Sequence, residues 1–341
     1  MPAPGKQTMT HELPEPRSRP LNLAFVVDPL PALKAYKDSS IAMMRAAASR
    51  GHAVFAIDCA TLAWRRPEAA QPGGVFGVAV HLHMQADNHD WFHEIGRDRL
   101  PLSDFDAVIM RRDPPFDNEY LTATWLLERA EAAGVRVFNR PRALRDHSEK
   151  VAIAEFPQFA PETLISRDVE QLQQFIDEHD DVILKPLDGM GGSQIFRVRR
   201  TDPNRNVILE TLTRDGGRTI MGQRFLPEIV AGDKRILIIG GQPVPYCLAR
   251  IPKAGETRGN LAVGGTGVAQ ALTARDREIA EALGPILFDR GLLLVGIDVI
   301  GSHLTEINVT SPTCMVEIRQ QTGFDSAAAF VAALERECAI S

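Results

Sequence analysis

The chain has 341 residues, of which 44% are hydrophobic and 24% are charged, and its formal net charge is −6. This length exceeds that of one common domain, so we expect two or three domains with a cleft between them. The net negative charge argues against bulk nucleic-acid binding, and no apolar run approaches the roughly 20 residues of a membrane-spanning helix. Four widely spaced cysteines without a CxxC pair indicate reduced thiols, which favours a cytoplasmic protein. From the charge and the short apolar runs we expect neither nucleic-acid nor membrane partners.

The first half of the chain alternates strand and helix patterns after a Pro-rich, charged segment, residues 1–20, that predicts a disordered tail. Strands are predicted for "LNLAFVVD", "HAVFAIDC", "FDAVIMRR" and "VRVFN". Helices are predicted for "SSIAMMRAAASRG", with Ser39 as N-cap and Gly51 at its end, and for "NEYLTATWLLERAEAAG". This order is typical of the α/β class and predicts a parallel, doubly wound sheet over residues 21–140.

Ligands of such sheets bind where the parallel strands have their carboxyl ends. Here those ends carry Asp28, the "MRRDPPFD" segment that starts at Met110, and Asn139. The sequence therefore predicts that part of a binding site lies at this edge.

The second half contains a lysine followed by a glycine-rich turn, in the stretch "ILKPLDGMGGSQIFRV". Backbone N–H groups of such a turn can contact phosphate oxygens, while Lys185 supplies a positive charge to the same phosphates. A β-hairpin with a solvated lysine is the alternative, because the segment lacks the residue order of a P-loop. Phosphate binding is thus a hypothesis that needs a second signal.

The second signal is a cluster of oxygen-bearing side chains in "GIDVIGSHLTEINVTSP". Glu306 and Asn308 are two residues apart on a predicted strand, so both side chains project from one face. If residues 301–303 form a three-residue turn, Asp298 lies directly across from Glu306. Hard cations such as Mg²⁺ select oxygen ligands of this kind, which predicts a metal site, whereas a polar hairpin face turned to water is the alternative.

Several motifs together resemble one known family. "MRRDPPFD", "KPLDGMGG", "GDKR", "PVPYCLARIP", "ETRGNLA" and "LTEINVTSPT" stand in the order and spacing of the prokaryotic glutathione synthetases, members of the ATP-grasp superfamily. The resemblance covers about residues 21–335. It implies an ATP-grasp fold, α+β overall, in which an N-terminal substrate-binding domain over residues 21–140 precedes an ATP-grasp domain over 141–335. The latter would comprise a small lid subdomain, about 141–220, and a catalytic subdomain, about 221–335.

The resemblance also implies an activity. It is the ATP-dependent ligation of γ-glutamylcysteine with glycine through an acyl phosphate, which uses Mg²⁺ or Mn²⁺ and no protein nucleophile. No cysteine is therefore expected to be catalytic, and we expect a homo-oligomer, either a dimer or a tetramer. Another ATP-grasp carboxylate–amine ligase with different substrates, or a non-catalytic ATP-binding regulator, remains an alternative.

Site residues follow from the resemblance position by position. ATP binding is implied for Lys150, Lys185, Gly189, Gly191, Gly192, Gln223, Arg224, Phe225, Leu226 and Asp233. Contacts with the transferring phosphate and acyl groups are implied for the catalytic residues Arg235 and Arg250. Metal binding is implied for Asp298, Glu306 and Asn308. Peptide binding is implied for Asp28, Ser39, Arg111, Arg258, Asn260, Thr310, Ser311, Pro312 and Thr313. The sequence departs from the family pattern at Gln194, where a small residue is common, and at Val316, where an arginine is common.

Overall fold

A computed structural model describes residues 19–68, 73–189, 191–256, 258–259, 261 and 264–339. The predicted disordered tail therefore lies outside the described residues, apart from residues 19 and 20. Within the described ranges the chain forms three β-sheets, of seven, four and five strands. In the same ranges there is no helix whose length and apolar character would let it cross a membrane.

The first sheet is formed by the N-terminal part of the chain and has the strand order β3-β4-β2-β1-β6-β7, with β5 paired to β4. Its strands are β1 (Asn22–Val27), β2 (Ala53–Asp58), β3 (Ala63–Arg65), β4 (Gly74–Met84), β5 (Phe92–Pro101), β6 (Ala107–Met110) and β7 (Val137–Phe138). Two helices accompany it, α1 (Ser39–Ser49) and α2 (Asn118–Ala132). All four predicted strands and both predicted helices are confirmed.

The prediction of a parallel sheet applies to one part of this sheet. Strand β1 pairs in parallel with β2 and β6, and β6 pairs in parallel with β7. Strand β4, however, pairs antiparallel with β2, β3 and β5. The sheet is therefore mixed, and the carboxyl ends of β1 and β6 still lie at the same edge, as predicted.

The predicted N-cap of α1 is wrong by one residue. The carboxylate of Asp38 accepts hydrogen bonds from the N–H groups of Ser40 at 2.7 Å and Ile41 at 3.0 Å, so Asp38 is the N-cap. Aspartate at this position satisfies two of the unpaired N–H groups of the first turn. Ser39 is instead buried, and its hydroxyl accepts a hydrogen bond from the N–H of Met315 at 3.3 Å.

The second sheet is antiparallel and has the strand order β10-β9-β11-β8. Its elements are β8 (Thr163–Ser166), α4 (Val169–His179), β9 (Asp181–Pro186), β10 (Phe196–Arg199), α5 (Arg205–Thr213) and β11 (Ile220–Arg224), and they follow the short helix α3 (Pro141–Asp146). Helices α4 and α5 bury Leu172, Ile176 and Leu209 against one face of the sheet. The opposite face is thereby left for a ligand. We call residues 163–224 the four-stranded unit.

The third sheet is also antiparallel and has the strand order β14-β13-β12-β15-β16. Its strands are β12 (Asp233–Ile239), β13 (Gln242–Ile251), β14 (Thr266–Ala271), β15 (Leu294–Ile300) and β16 (His303–Asn308), and its helices are α6 (Ala274–Asp289), α7 (Met315–Thr322) and α8 (Ser326–Ala339). The β12–β13 hairpin turns at Gly240 and Gly241, as predicted. Their φ angles of +57° and +76° are those of the left-handed region that glycine adopts at little cost.

The turn of the β15–β16 hairpin is shorter than predicted, but Asp298 still pairs with Glu306. Ile300 pairs with His303, so the turn has two residues rather than three. The register then shifts between Asp298 and Val299, because Thr305 is an extra, bulged residue on β16. The bulge offsets the shorter turn, and Asp298 pairs with Glu306 as predicted.

The last helix connects the C-terminal part of the chain to the first sheet. Glu335 on α8 is buried and accepts hydrogen bonds from Arg50 Nε at 2.9 Å and Arg50 Nη2 at 2.5 Å, and its Oε1 lies 2.8 Å from His52 Nε2. Phe330 of α8 belongs to the same apolar cluster as Phe25 of β1. The core around the first strand is therefore completed by the last helix.

We expect Glu335→Gln to lower the free energy of unfolding by about 2–3 kcal/mol, because it removes the buried carboxylate charge that pairs with Arg50 and His52. Burial alone would raise the pKa of Glu335, but Arg50 and His52 outweigh burial and hold it below its usual value. The stabilisation should thus be complete above about pH 4.3 and be lost as the pH falls through the lowered folded-state value. Chemical unfolding of the variant and the wild type at a series of pH values from about 3 to about 7.5 measures this. Glu337→Gln on the same helix is the control, and an equal effect of both variants would contradict the prediction.

Candidate active site

A cavity of about 700 Å³ lies between the second and third sheets and extends to the carboxyl edge of the first sheet. Strand β1 contributes Asp28, which follows its last residue, and the segment after β6 contributes Asp113. The four-stranded unit contributes Lys185 and the glycine turn, and the third sheet contributes one of its faces. All three sheets thus meet at one site.

The face of the third sheet that lines the cavity carries alternating acidic and basic side chains across three strands. Asp233 and Arg235 are two apart on β12, and the strand register places Arg250 beside Asp233 and Asp298 beside Arg235. Arg235 Nε donates to Asp298 Oδ1 at 2.5 Å, and Arg250 Nη2 lies 2.9 Å from Asp298 Oδ2. Arg250 Nη2 also donates to Asp233 Oδ2 at 2.5 Å. Two guanidinium groups are therefore held in place by two carboxylates.

This network has opposite effects on its two carboxylates. Burial alone would raise the pKa of Asp298, but Arg235 and Arg250 outweigh burial and hold it well below its usual range. Burial dominates at Asp233 and, with the nearby Asp298 charge, raises its pKa to about 6 although Arg250 opposes this. Asp233 Oδ1 is buried and has no hydrogen-bond partner among the described residues. Asp298 is thus ionised at neutral pH, and Asp233 has an unused acceptor.

Two lysines converge on one carboxylate oxygen. Lys185 Nζ lies 3.3 Å and Lys150 Nζ 3.6 Å from Glu306 Oε1, and both lysines are buried. Lys150 also donates to the carbonyl of Gly189 at 2.7 Å. Burial favours the neutral form of Glu306, but the two ammonium groups outweigh it and lower the pKa of Glu306. A phosphate group that entered here would meet two fixed cations and the glycine turn.

Asp298, Glu306 and Asn308 form the candidate metal site. Asn308 Nδ2 donates to Asp298 Oδ2 at 3.2 Å, and Glu306 pairs with Asp298 across the hairpin. Within the described ranges, His, Cys, Asp and Glu side chains form no group of three or more that could hold a metal ion. The candidate set is therefore two ionised carboxylates and one amide. That donor set fits Mg²⁺, which binds through few protein oxygens and completes its coordination with phosphates and water.

The segment after β11 forms an apolar end of the cavity. Phe225 and Leu226 line it together with Ile183, and the guanidinium of Arg197 stacks on the Phe225 ring at 3.6 Å from its centroid. Gln223 lines the same end, and its side-chain amide donates to Thr163 at 3.2 Å. The N–H groups of Arg224 and Phe225 donate to the carbonyls of residues 162 and 181. An adenine ring would therefore use other backbone groups of this segment.

The predicted peptide-binding residues separate into two groups. Asp28, Arg258 and the loop of residues 310–313 line the cavity. Ser39 and Arg111 do not line it but lie behind that loop, where Arg111 donates to Ser40 Oγ and to the carbonyl of Pro312, both at 3.0 Å. These two residues can position the loop but do not form the cavity wall. Asn260 lies outside the described residues.

Glu149 was not predicted as a site residue, although it lines the cavity. Its Oε1 accepts hydrogen bonds from the N–H of Val309 at 3.0 Å, the N–H of Thr310 at 3.1 Å and the Thr310 hydroxyl at 2.8 Å. Glu149 thus fixes the chain directly after Asn308. Only its position beside Lys150 could have drawn attention to it, because the contacts join distant parts of the sequence.

The four cysteines lie among the described residues, are buried and form no disulfide bond. Burial raises the pKa of Cys59 and Cys314, and raises that of Cys247 to about 11. These thiols are therefore protonated at neutral pH, which supports the expectation that no cysteine acts as a nucleophile.

Two domain families match nearly all of the part of the chain that forms the three sheets. Residues 21–145 match the N-terminal domain of prokaryotic glutathione synthetase, and residues 149–323 match the ATP-grasp domain of the same family. The chain belongs to the prokaryotic glutathione synthetase family.

Individual relatives agree with this family. The glutathione synthetase of Nitrosomonas europaea is 57% identical over 322 residues, which cover 94% of this chain and 99% of the relative. That of Ralstonia nicotianae is 56% identical over 317 residues, covering 93% and 96%. That of Pseudomonas aeruginosa is 54% identical over 301 residues, covering 88% and 93%.

Solved structures show the fold. The ATP-grasp ligase PsnB, complexed with a minimal precursor, Mg and ADP, has a TM-score of 0.60 at 17% identity and covers 93% of this chain and 98% of its own. The D-cycloserine synthetase DcsG has a TM-score of 0.62 at 15% identity, with coverage of 93% and 99%. The predicted ATP-grasp fold of this glutathione synthetase family member is thus confirmed.

Proposed function

We propose that this protein is a glutathione synthetase, a ligase that joins γ-L-glutamyl-L-cysteine to glycine and converts ATP to ADP and phosphate. The observation that carries the proposal is the convergence of Lys150, Lys185, Arg235 and Arg250 on Asp298 and Glu306 in one cavity. Membership of the glutathione synthetase family supports the choice of substrates.

The reaction needs this charge arrangement because an amide does not form spontaneously from a free carboxylate. The cysteinyl carboxylate first attacks the γ-phosphorus of ATP, and ADP leaves, which gives an acyl phosphate. The amine of glycine, once deprotonated, then attacks the acyl carbon, and phosphate leaves. The first step brings anionic oxygens together, and fixed cations lower its barrier by positioning and by offsetting charge.

The chain supplies these functions from distinct elements. Lys150 and Lys185 would hold the phosphates of ATP below the glycine turn, while Phe225 and Leu226 would enclose the adenine. Arg235 and Arg250 would face the transferring phosphate, since both are kept in place by Asp298. The network of carboxylates thus orients the cations before any substrate binds.

Asp298, Glu306 and Asn308 would hold Mg²⁺ or Mn²⁺, and the bound ion would screen the charge of the phosphate oxygens. Glu306 would then exchange its contacts, because its Oε1 is shared by the two lysines in the structure. The lysines released by this exchange would become available to the phosphates.

At the other end of the cavity, Asp28, Arg258 and residues 310–313 would bind the peptide.

We expect Arg258→Ala to raise the KM for γ-glutamylcysteine about tenfold and to leave the KM for ATP nearly unchanged. Steady-state kinetics with each substrate varied in turn measures both. Arg258 Nη1 also donates to the carbonyl of Gly192 at 3.2 Å, so an equal rise in the KM for ATP would assign Arg258 to the glycine turn instead.

The proposal also extends to organisation. The domains would comprise residues 21–140 and 141–335, with a lid subdomain at about 141–220, which the two family matches support. Four buried cysteines that form no disulfide support a cytoplasmic location, where thiols stay reduced. A dimer or tetramer would be detected by light scattering after gel filtration.

A phosphate-release assay with γ-glutamylcysteine and glycine tests the function. The same assay is run with other dipeptides and other amino acids, because the nucleotide and metal residues do not select the acceptor. Fastest turnover with γ-glutamylcysteine and glycine is expected. A different preferred pair would identify another carboxylate–amine ligase, and ATP binding without turnover of any pair would indicate a regulator.

A further inference from the structure

Arg218 lies next to the glycine turn but not in the cavity wall. It precedes β11, and Ile220 of β11 pairs with Pro186, the last residue of β9. The glycine turn begins directly after Pro186 and leads into β10. The antiparallel register therefore places Arg218 beside the start of the turn.

The guanidinium of Arg218 contacts both ends of this turn. Its Nη2 donates to Asp188 Oδ1, and its Nη1 donates to Gln194 Oε1 at 3.2 Å. Gly189, Gly191 and Gly192, which line the cavity, lie between these two acceptors. The Arg218 side chain is 18% exposed and that of Asp188 is 62% exposed, so the guanidinium is largely shielded from water although its carboxylate partner is not.

We propose that Arg218 is a positioning residue that clamps the two ends of the phosphate-binding turn. The inference rests on the proposed function, in which this turn contacts the phosphates of ATP. A glycine-rich segment loses much conformational entropy when it becomes ordered, and fixing both of its ends removes part of that cost before the nucleotide binds. The planar fork of a guanidinium suits this role because it can donate to two acceptors at once.

Gln194 gives independent support. Its φ of +57° lies in the left-handed region, which costs a residue with a side chain roughly 1–2 kcal/mol. Glycine would adopt this conformation without strain, yet the sequence has a glutamine there. The side chain supplies the second acceptor for Arg218.

The contacts at the middle of the turn are of a different kind. Lys150 donates to the carbonyl of Gly189, and Arg258 donates to the carbonyl of Gly192. Both donors line the cavity, so phosphate groups compete with the carbonyls for them. Arg218 does not line the cavity, and its two bonds can persist when the nucleotide binds. The ends of the turn therefore stay fixed while its middle exchanges partners.

The test compares Arg218→Ala with Arg205→Ala in the full chain. Arg205 belongs to the same four-stranded unit, lies 2.7 Å from Asp177 and has a side chain 24% exposed, so it matches Arg218 in burial but lies away from the cavity. Arg218→Ala should raise the KM for ATP about five- to tenfold and leave the KM for γ-glutamylcysteine unchanged. Arg218→Lys, which keeps one ion pair but not the fork, should recover part of the loss. Arg205→Ala should leave both constants unchanged.

If Arg218→Ala and Arg205→Ala lose the same thermal stability and the KM for ATP is unchanged in both, Arg218 has only a structural role and the proposal is overturned. Gln194→Ala removes only the second acceptor and should raise the KM for ATP in the same direction. No effect of Gln194→Ala would show that only one end of the turn is held, which would overturn the two-ended clamp. This variant also tests the clamp if Arg218→Ala does not fold.

Calorimetric binding of a non-hydrolysable ATP analogue to the same variants separates the clamp from the proposed ligase activity, because analogue binding does not depend on the acceptor substrates. Unchanged analogue affinity in Arg218→Ala and Gln194→Ala would overturn the clamp, whatever the ligase assay shows.

Discussion

Replacing Glu306 by glutamine should reduce the ligase rate by at least about a hundredfold and raise the Mg²⁺ concentration needed for half-maximal activity. The change keeps the size of the side chain but removes the charge that Lys150 and Lys185 share. It therefore weakens the metal site and also removes the carboxylate charge that holds the two buried ammonium groups close together. Activity measured over a Mg²⁺ titration gives both quantities.

Glu155→Gln is the matched control for this prediction. Glu155 forms an ion pair with Arg290 at 2.7 Å, its side chain is 43% exposed, and it does not line the cavity. The control should keep its activity, since exposed ion pairs contribute little. Near-normal turnover of Glu306→Gln with an unaltered Mg²⁺ requirement would remove Glu306 from the metal site.

Asp298→Asn should lower the free energy of unfolding by about 3 kcal/mol as well as the ligase rate. The substitution leaves Arg235 and Arg250 buried beside each other with one carboxylate fewer. Because the two arginines lower the pKa of Asp298 in the folded state, its stabilising effect is complete above the unfolded-state pKa of about 3.9. It is lost only as the pH falls through the lowered folded-state value.

Denaturant unfolding of Asp298→Asn and the wild type between pH 3 and pH 8 measures this effect. The difference between them should be constant above about pH 7, beyond the pKa of about 6 of Asp233, and should shrink below about pH 4. Asp177→Asn, which breaks the partly exposed pair with Arg205, should cost less than about 1 kcal/mol. A difference for Asp298→Asn that grows as the pH falls below about 4 would contradict the assigned direction of the pKa of Asp298.

Local sequence patterns were sufficient to predict the parts of the site that lie on one strand or one hairpin. The spacing of Glu306 and Asn308 determines their common face, because side chains alternate along a strand. The prediction for Asp298 was right although the turn length was wrong. The bulge at Thr305, whose hydroxyl donates to the carbonyl of Asp298 at 3.2 Å, restores the register, and no local pattern announces it.

Contacts between distant segments could not be predicted from patterns. Glu149 fixes Thr310, and Arg111 holds the carbonyl of Pro312, although nothing near either residue specifies its partner. The resemblance to a family placed Arg111 and Ser39 at the site, but it could not distinguish the cavity wall from the layer behind it. The antiparallel pairing of β3 to β5 was not predicted for a similar reason, since strand pairing is decided by tertiary packing rather than by the strand's own residues.

The position of α8 also has a consequence for synthesis of the chain. Phe330 and Leu334 belong to the apolar cluster that contains Leu23 and Phe25 of the first strand. The ribosome makes β1 long before α8, so the first sheet cannot complete this core until α8 has been synthesised. The nascent chain must therefore carry an unfinished apolar surface until α8 emerges, and a truncation that removes α8 would leave the first sheet permanently incomplete.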